Sequence, residues 1–271
     1  MLTKIKKYSK QLILAGKLIL ALVLVLGVAV LLHFLSQKAP VPELNPNEPV
    51  QTSPNTLNFT VDEHGYMACQ NREYSTGIDV SEYQREVDWE KVRAAGIEFV
   101  FIRIGGRGTT EGGLYADSMA KDHYDGAKGA GLQVGMYFYS QAITPEEAKE
   151  EAEYVLSLLN GYRLDLPLVY DWEWGGEDSR TTGMEKELLT EITEIFCKAV
   201  SSAGVSPMIY FNESQGLDQL DLERLKDYPF WLALYDGTMD FPYAVDYWQY
   251  TPKGKVDGIE GDVDLNIRLF P

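Results

Sequence analysis

Residues 166–174 read LPLVYDWEW, an apolar run that ends in two acids, with one tryptophan between them and another after them. A short apolar run of this kind is typical of a strand buried in a sheet. In a strand, residues i and i+2 point to the same side, so Asp171 and Glu173 project together. Tyr170 and Trp172 then take the opposite face. The stretch predicts a buried strand that presents a pair of carboxylates at its C-terminal end.

Short apolar runs recur from about residue 75 onward and alternate with amphipathic stretches. The candidate strands are residues 77–80, 98–104, 132–140, 166–174, 207–211, 230–235 and 246–250, and the candidate helices are 88–95, 116–130, 145–160 and 184–203. Alternation of strand and helix at this spacing favours βαβ units and a parallel sheet. Among the late strands only 217–227 offers helical sequence, so we expect an α/β barrel with some crossovers shortened. In such barrels the chemistry lies at the C-terminal ends of the strands.

The first 36 residues differ in character from the rest. Residues 12–35 are almost wholly apolar apart from Lys17, which is long enough for a helix to cross a bilayer. Five lysines lie at or before residue 17, and only Lys38 follows closely. This bias predicts a cytoplasmic segment at 1–11, an uncleaved transmembrane anchor at 12–36 and an extracellular remainder. A cleaved signal peptide, which would give a secreted protein, is the alternative.

The segment after the anchor is polar and contains five prolines before residue 60. Such a composition predicts an extended stalk over 37–74 that holds a domain at 75–271 away from the membrane. Beyond residue 36 the chain has 19 basic and 41 acidic residues. An acidic surface of this kind argues against nucleic acid as a partner, because phosphate binding needs clustered Lys and Arg.

Cysteine and histidine are too scarce to suggest a zinc site or a serine-histidine-aspartate triad. The two cysteines, Cys69 and Cys197, either pair in an oxidising compartment or remain as buried thiols. Asp262, Asp264 and Asn266 lack the glycine and terminal glutamate of a calcium loop. We therefore expect no metal and no cofactor.

The tripeptide Asp-Trp-Glu occurs twice, in different contexts. Asp88 precedes the helical stretch WEKVRA, where it is a natural N-cap with Glu90 in the first turn, so this copy is interpreted as structural. Asp171 and Glu173 instead end a buried strand. Paired carboxylates are the tools of glycoside hydrolysis, in which one donates a proton to the leaving oxygen and another stabilises positive charge. Trp172 and Trp174 would desolvate Glu173 and raise its pKa; the alternative is a pair of solvated carboxylates in a loop.

Several further motifs appear in a fixed order along the domain. They are Gly77-Ile78-Asp79-Val80-Ser81 with Gln84, Val87-Asp88-Trp89, the second Asp-Trp-Glu, Trp231-Leu232-Ala233-Leu234-Tyr235, Trp248-Gln249-Tyr250, and Gly258-Ile259 leading to Val263-Asp264-Leu265-Asn266. Together they resemble glycoside hydrolase family 25, the Chalaropsis-type lysozymes or N-acetylmuramidases. The resemblance implies an irregular TIM-like barrel of about eight strands with fewer helices than a full (β/α)8 barrel.

The resemblance also implies an acidic cluster in which Glu173 is the acid and Asp79, Asp171 and Asp264 complete the site. The candidate sugar-binding residues are Arg103, Tyr137, Tyr139, Trp174, Tyr210, Trp231, Tyr235 and Trp248. One departure is that the family's frequent Tyr-His-Phe appears here as Tyr137-Phe138-Tyr139. The implied substrate is the β-1,4-linked glycan of peptidoglycan. The alternatives are a wall-binding module without catalysis on the same fold, and a hydrolase of another N-acetylated glycan.

Overall fold

In the computed structural model, which describes residues 57–235 and 239–270, eight strands close into a barrel. The strands of the described chain are β1 (Phe59–Val61), β2 (Met67–Cys69), β3 (Tyr74–Val80), β4 (Phe99–Arg107), β5 (Leu114–Ala116), β6 (Gln133–Ser140), β7 (Leu168–Trp172), β8 (Pro207–Asn212), β9 (Phe230–Ala233), β10 (Tyr247–Gly254) and β11 (Val263–Leu269). The barrel order is β3-β4-β6-β7-β8-β9-β10-β11, and β5 pairs with β4 outside the ring. The predicted eight-stranded α/β barrel is confirmed.

The last strand runs against the others. β11 pairs antiparallel with both β10 and β3, whereas the neighbouring pairs from β3 to β10 are parallel. The N-terminal end of β11 therefore lies at the same rim as the C-terminal ends of the other strands. The list of candidate strands drawn from the sequence did not include β11, although its alternating pattern VDLNIRL fits one.

Helices cover only part of the barrel. They are α1 (Trp89–Ala94), α2 (Ala120–Gly129), α3 (Pro145–Leu158), α4 (Lys186–Ser202) and the single turn α5 (Leu222–Leu225). Thr144 caps α3 by accepting a hydrogen bond from the backbone N–H of Glu147 at 3.2 Å, and Pro145 occupies the first turn. The described residues between β9 and β10 and between β10 and β11 form no helix, which confirms the shortened late crossovers.

Alternation along the strands builds two cores. Side chains pointing into the barrel, such as Phe101, Trp231 and Tyr247, pack on one another beneath the rim. Side chains pointing outward, such as Phe138 and Tyr170, pack against the helices, where both contact the ring of Phe196 in α4. The barrel interior is therefore filled below the rim, and the rim is the place left for chemistry.

A β-hairpin formed by β1 and β2 covers the wall at β10 and β11, where helices are missing. Tyr66 and Cys69 are buried in the outer core, and the ring of Phe59 lies 4.9 Å from that of Trp248. Residues 57–73, placed by the sequence in an extended stalk, are thus part of the folded domain. The error has a physical cause: the prolines that suggest a stalk all lie at or before residue 54, while the hairpin sequence is apolar enough to pack.

The remaining predictions for the N-terminal part lie outside the described residues, namely the segment at 1–11, the anchor at 12–36 and the stalk as far as residue 56. Across residues 57–235 and 239–270, no helix combines the length and the apolar character needed to cross a bilayer. Cys69 and Cys197 are both buried free thiols, so the alternative of a disulfide between them does not hold in this structure.

Candidate active site

Four carboxyls from three strands meet at the rim of the barrel. Asp79 ends β3, Asp171 lies in β7 and Glu173 follows directly after it, and Asp264 lies at the start of β11. Asp264 is the register partner of Asp79 across the antiparallel pair, which brings the two ends of the domain together. All four line a cleft of about 280 Å³. The structure therefore assembles the four acids that the sequence singled out.

A hydrogen-bond network fixes the Asp79 carboxylate. Its Oδ2 accepts from Gln249 Nε2 at 2.8 Å and from Asn266 Nδ2 at 2.7 Å. Asn266 Oδ1 in turn accepts from Trp231 Nε1 at 2.8 Å, which sets the orientation of the asparagine amide. Burial and the charge of Asp264 raise the pKa of Asp79 well above its usual value, although the two amides lower it.

The side-chain oxygen of Gln249 binds two tyrosines of the cleft wall. Gln249 Oε1 accepts from the hydroxyls of Tyr235 at 2.6 Å and Tyr210 at 3.1 Å. Tyr210 is buried, whereas Tyr235 is about half exposed at 48%. Gln249 thus links the two tyrosines of the cleft wall to Asp79. The exposed part of the Tyr235 ring remains free to contact a ligand.

Asp171 and Glu173 form a pair of adjacent carboxyls, and each affects the pKa of the other. Burial, followed by the charge of Glu173, raises the pKa of Asp171 well above its usual value. Burial also raises the pKa of Glu173, while the hydrogen bond from Asp171 lowers it. Within the described part of the chain, Asp171 Oδ1 is buried and has no partner. Two adjacent buried charges are costly, so burial and mutual repulsion both act against ionisation of the whole pair.

Asp264 and Asp262 differ in their positions relative to β11. Asp264 is half-buried in the cleft, and burial and the charge of Glu173 raise its pKa to about 6. Asp262 precedes the strand, is exposed and forms an ion pair of 2.7 Å with Lys255. The preference for Asp264 as the acid of the cluster is therefore consistent with its position, although its role in catalysis remains a prediction.

Arg103 contributes positive charge to the cleft. Its Nε lies 2.7 Å from Asp117 Oδ2 and one terminal nitrogen lies 3.2 Å from Glu82 Oε1. The guanidinium carbon also lies 5.1 Å from the ring centre of Tyr83 and 5.8 Å from that of Tyr115. These contacts hold the planar group in one orientation at the cleft wall.

The predicted sugar-binding residues divide into three groups. The cleft is lined by Arg103, Tyr137, Tyr139, Tyr210, Trp231 and Tyr235, with Tyr83 and Gln84 from the turn after β3. Trp174 is 54% exposed and lies instead on a neighbouring cleft of about 330 Å³ with Trp172, Thr181 and Met184. Neither Trp172 nor Trp174 lines the acidic cleft, so the expectation that they desolvate Glu173 stays a prediction.

Trp248 alone forms the third group, and the prediction that it lines the cleft is wrong. It is fully buried on the outer face of the barrel, where its Nε1 donates to the carbonyl of Leu234 at 2.8 Å. The reason is strand alternation, since Tyr247 and Gln249 point inward and Trp248 must therefore point outward. The same rule explains Tyr137 and Tyr139, which line the cleft while Phe138 packs against α4.

Sequence reasoning missed the polar residues that support the acids. Gln249 and Asn266 were quoted only as parts of motifs, and Asp117, the buried partner of Arg103, was not considered. A signal was available for the first two: each is a polar residue between apolar neighbours, at a position that strand alternation turns inward. Such a residue needs a partner when it is buried, and a carboxylate at the rim supplies one.

Comparison with known proteins places the chain in context. A family model described as glycosyl hydrolases family 25 matches residues 78–259. The autolytic lysozyme of Clostridium acetobutylicum is 33% identical over 193 residues, which cover 70% of this chain and 54% of the relative. Lysozyme M1 of Streptomyces globisporus is 28% identical over 204 residues, covering 70% of this chain and 66% of that protein. The chain thus spans about half the length of the clostridial relative.

Solved structures share the fold. A bacterial lysozyme from Streptomyces coelicolor superposes with a TM-score of 0.61 at 27% identity, covering 71% of this chain and 90% of that one. The modular autolysin LytC from Streptococcus pneumoniae, solved in complex with a synthetic peptidoglycan ligand, gives a TM-score of 0.68 at 20% identity and covers 79% of this chain and 52% of its own. At that identity, the likeness to LytC concerns the fold alone.

Proposed function

This chain belongs to glycosyl hydrolase family 25, and we propose that it is a muramidase that hydrolyses the β-1,4 bond after N-acetylmuramic acid in peptidoglycan, with Glu173 as the general acid. The observation that carries the proposal is the carboxyl pair at the end of β7. Asp171 and Glu173 lie next to each other, burial raises the pKa of both, and both open into a cleft that Asp79 and Asp264 complete. A surface that only binds glycans does not need four converging acids.

The first chemical step is a proton transfer from Glu173. Glu173 gives its proton to the glycosidic oxygen as the bond from that oxygen to the anomeric carbon breaks, and the leaving sugar departs as an alcohol. We favour attack on the anomeric carbon by the carbonyl oxygen of the substrate's own N-acetyl group. Asp171 lies two residues before Glu173 and on the same side of the strand, where it can orient that group and stabilise its developing positive charge.

The second step returns the proton. The Glu173 carboxylate takes a proton from water, the water oxygen bonds to the anomeric carbon, and the N-acetyl group is released. This route retains the configuration of the anomeric carbon. The alternative is direct attack by water with inversion. Asp171 and Glu173 lie side by side, where both can act on the same N-acetylated sugar. This arrangement supports the first route.

Substrate binding follows from the lining of the cleft. The aromatic faces of Tyr137, Tyr139 and Tyr235 suit the apolar faces of sugar rings, and their hydroxyls suit sugar oxygens. Arg103 supplies hydrogen-bond donors at the cleft wall for oxygen atoms of the glycan strand. Trp174 offers an exposed ring on the adjoining cleft, where a further part of the same glycan strand would lie.

The setting of the activity is also part of the proposal. The lysine bias and the apolar run at 12–36 support a single-pass membrane protein with its N-terminus in the cytoplasm. The hydrolase domain would then face the cell wall. Protease shaving of whole cells followed by a blot for an N-terminal epitope tests this topology, and release of a mature protein with a new N-terminus near residue 38 would contradict it.

Digestion of purified peptidoglycan, with mass analysis of the new reducing ends, tests the activity. We expect N-acetylmuramic acid at the reducing ends from the wild-type protein and none from Glu173→Gln. Reducing ends of N-acetylglucosamine would show a different bond specificity. Binding to peptidoglycan without any new reducing end would favour the wall-binding module, and cleavage of chitin oligomers but not peptidoglycan would favour another N-acetylated glycan.

A further inference from the structure

The backbone at the end of β7 extends beyond its sheet neighbours. The last paired residues are Ser140 with Trp172 on the β6 side and Asp171 with Tyr210 on the β8 side. Glu173 therefore lies one residue past the ladder. Carbonyl groups of successive residues in a strand point to opposite sides, so the carbonyls of Trp172 and Glu173 each face one neighbour without a ladder donor.

Two glutamine side chains supply the missing donors. Gln141 directly follows β6, and its Nε2 donates to the carbonyl of Glu173 at 2.6 Å. Gln215 begins the turn after β8, and its Nε2 donates to the carbonyl of Trp172 at 2.6 Å. Both side chains are buried, with exposed fractions of 0% and 4%. Side-chain amides from the two neighbouring strands thus continue the ladder on both sides of the strand that bears Glu173.

The arrangement leaves two polar atoms without partners. Among the described residues, Oε1 of Gln141 and Oε1 of Gln215 are buried and make no hydrogen bond. Turning either amide over would place its oxygen against a carbonyl oxygen, so the unpartnered atom follows from the donation itself. Buried acceptors without partners destabilise a fold. Two glutamines that each leave one are therefore poor choices for stability alone.

Local packing is arranged around one of these amides. A Cβ placed on Gly175 would lie 2.9 Å from Gln141 Oε1 and 2.7 Å from Ser179 Cβ. Glycine at this position leaves room for the amide to reach the carbonyl of Glu173. Gly175 does not have a positive φ, so its backbone conformation does not itself require glycine. An alanine would instead clash with the side chains of Gln141 and Ser179.

We propose that Gln141 and Gln215 are positioning residues, which hold the two peptide groups before and after the Cα of Glu173 and so fix the direction in which the Glu173 carboxyl enters the cleft. The inference rests on the proposed function, because it assigns these residues to the same reaction. Neither glutamine lines the acidic cleft, so each acts through the backbone rather than on the sugar.

The test replaces each glutamine by methionine, which keeps the length of the side chain and removes the amide. Gln215→Met loses one hydrogen bond, and Gln141→Met loses two, because Gln141 Nε2 also donates to the carbonyl of Ser140 at 3.0 Å. Each variant also loses one unpartnered oxygen, so its midpoint of unfolding should stay close to that of the wild type. We expect kcat on solubilised peptidoglycan to fall about 10-fold in each single variant and further in the double variant, with KM unchanged. Gln133→Met is the matched control, because Gln133 is an exposed residue of β6 with one weak contact of 3.5 Å to Arg268.

A second measurement separates this inference from the proposed activity. Titration of Glu173 by carbon NMR in selectively labelled protein should give a shifted pKa in Gln141→Met and Gln215→Met but not in Gln133→Met, whether or not a substrate is known. Unchanged kcat together with an unchanged titration would overturn the inference. A fall in kcat that merely follows the loss of folded protein would also overturn it. If the wild type cleaves no peptidoglycan, the proposed function fails, and the titration alone decides the positioning role.

Discussion

The same tripeptide, Asp-Trp-Glu, occupies two very different places in this molecule. At 88–90 it begins helix α1, where Asp88 accepts a hydrogen bond from the backbone of Lys91 at 3.2 Å and both acids are exposed. At 171–173 it ends strand β7, where both acids enter a cleft with two further carboxyls. Burial raises the pKa of Asp171, whereas hydrogen bonds from Lys91 lower that of Asp88.

The tryptophan has the same role in the two copies. Trp89 and Trp172 are both buried, with exposed fractions of 7% and 2%. In each copy the ring anchors the segment to the core, and the backbone that follows decides where the acids point. A helix start turns the acids to solvent and to the positive end of the helix dipole, while an extended strand places them together on one side. Sequence identity over three residues thus says little about chemistry without the element that contains them.

The largest difference should appear in activity. Glu173→Gln keeps the shape of the side chain and removes the proton donor, so the rate on peptidoglycan should fall between about 100-fold and 10,000-fold. Glu90→Gln is the matched variant in the other copy and should leave the rate near that of the wild type. Equal losses in the two variants would show that the separation of the copies is wrong.

Stability should show what the copies have in common. Trp172→Ala and Trp89→Ala each remove a large buried ring, and each should lower the free energy of unfolding by about 3–5 kcal/mol. Urea unfolding of the two variants checks this. A loss below about 1 kcal/mol in either would mean that its ring is not part of the core, contrary to its burial.

A third contrast concerns the acid that faces Glu173 across the cleft. Removing the charge of Asp264 should lower the pKa of Glu173, because like charges raise each other's pKa. Asp264→Asn should therefore reduce the rate about 10-fold and move the alkaline limb of the pH–rate profile to lower pH. Asp262→Asn, which removes an exposed acid paired with Lys255, should do neither. A larger effect from Asp262→Asn would mean that the wrong carboxylate has been assigned.

The smallest effect concerns the pH dependence of stability, and its sign should differ between the copies. The pKa of Asp171 is raised in the folded state, so its contribution to stability is present below about pH 4 and is lost as the pH rises through the folded pKa. Asp171→Asn should therefore stabilise the protein at neutral pH and not at pH 4.

Asp88 is the opposite case. Its pKa is lowered, so its contribution is present above about pH 4 and is lost as the pH falls through the folded pKa. Asp88→Asn keeps a capping side chain and should cause a slight loss at neutral pH only. Thermal unfolding midpoints from pH 3 to pH 8 compare the two variants, and a same-sign change at neutral pH would contradict the opposite pKa directions.

The α/β barrel class and the carboxyl pair could be predicted because they depend on local patterns, whereas Asp79 and Asp264 were assigned through the resemblance to family 25. Strand periodicity placed Asp171 and Glu173 on one side, and the helix cap at Asp88 was readable from three residues. The position of Trp248 was also within reach, since its neighbours Tyr247 and Gln249 alternate with it. It was missed because an aromatic residue in a motif was given more weight than its place in the strand.

Other features depend on contacts between distant parts of the chain. Nothing near Gln141 or Gln215 in the sequence shows that they bind successive carbonyls of the same strand end from opposite sides. The packing of Phe59 on Trp248 likewise joins residues from the two ends of the domain, so the hairpin was mistaken for stalk. The pairing of β11 with β3 is of the same kind, and it explains why the eighth strand was absent from the list of candidates.

That pairing also bears on when the protein becomes active. The hydrogen bond from Asn266 to Asp79 joins residues 187 positions apart, and Asp264 reaches the rim only when β11 enters the barrel. A chain still emerging from the ribosome, or one trimmed by a protease before β11, carries Glu173 but lacks half of the support for Asp79. Contacts of such long range also form late in folding. An incomplete copy therefore lacks the assembled set of four acids.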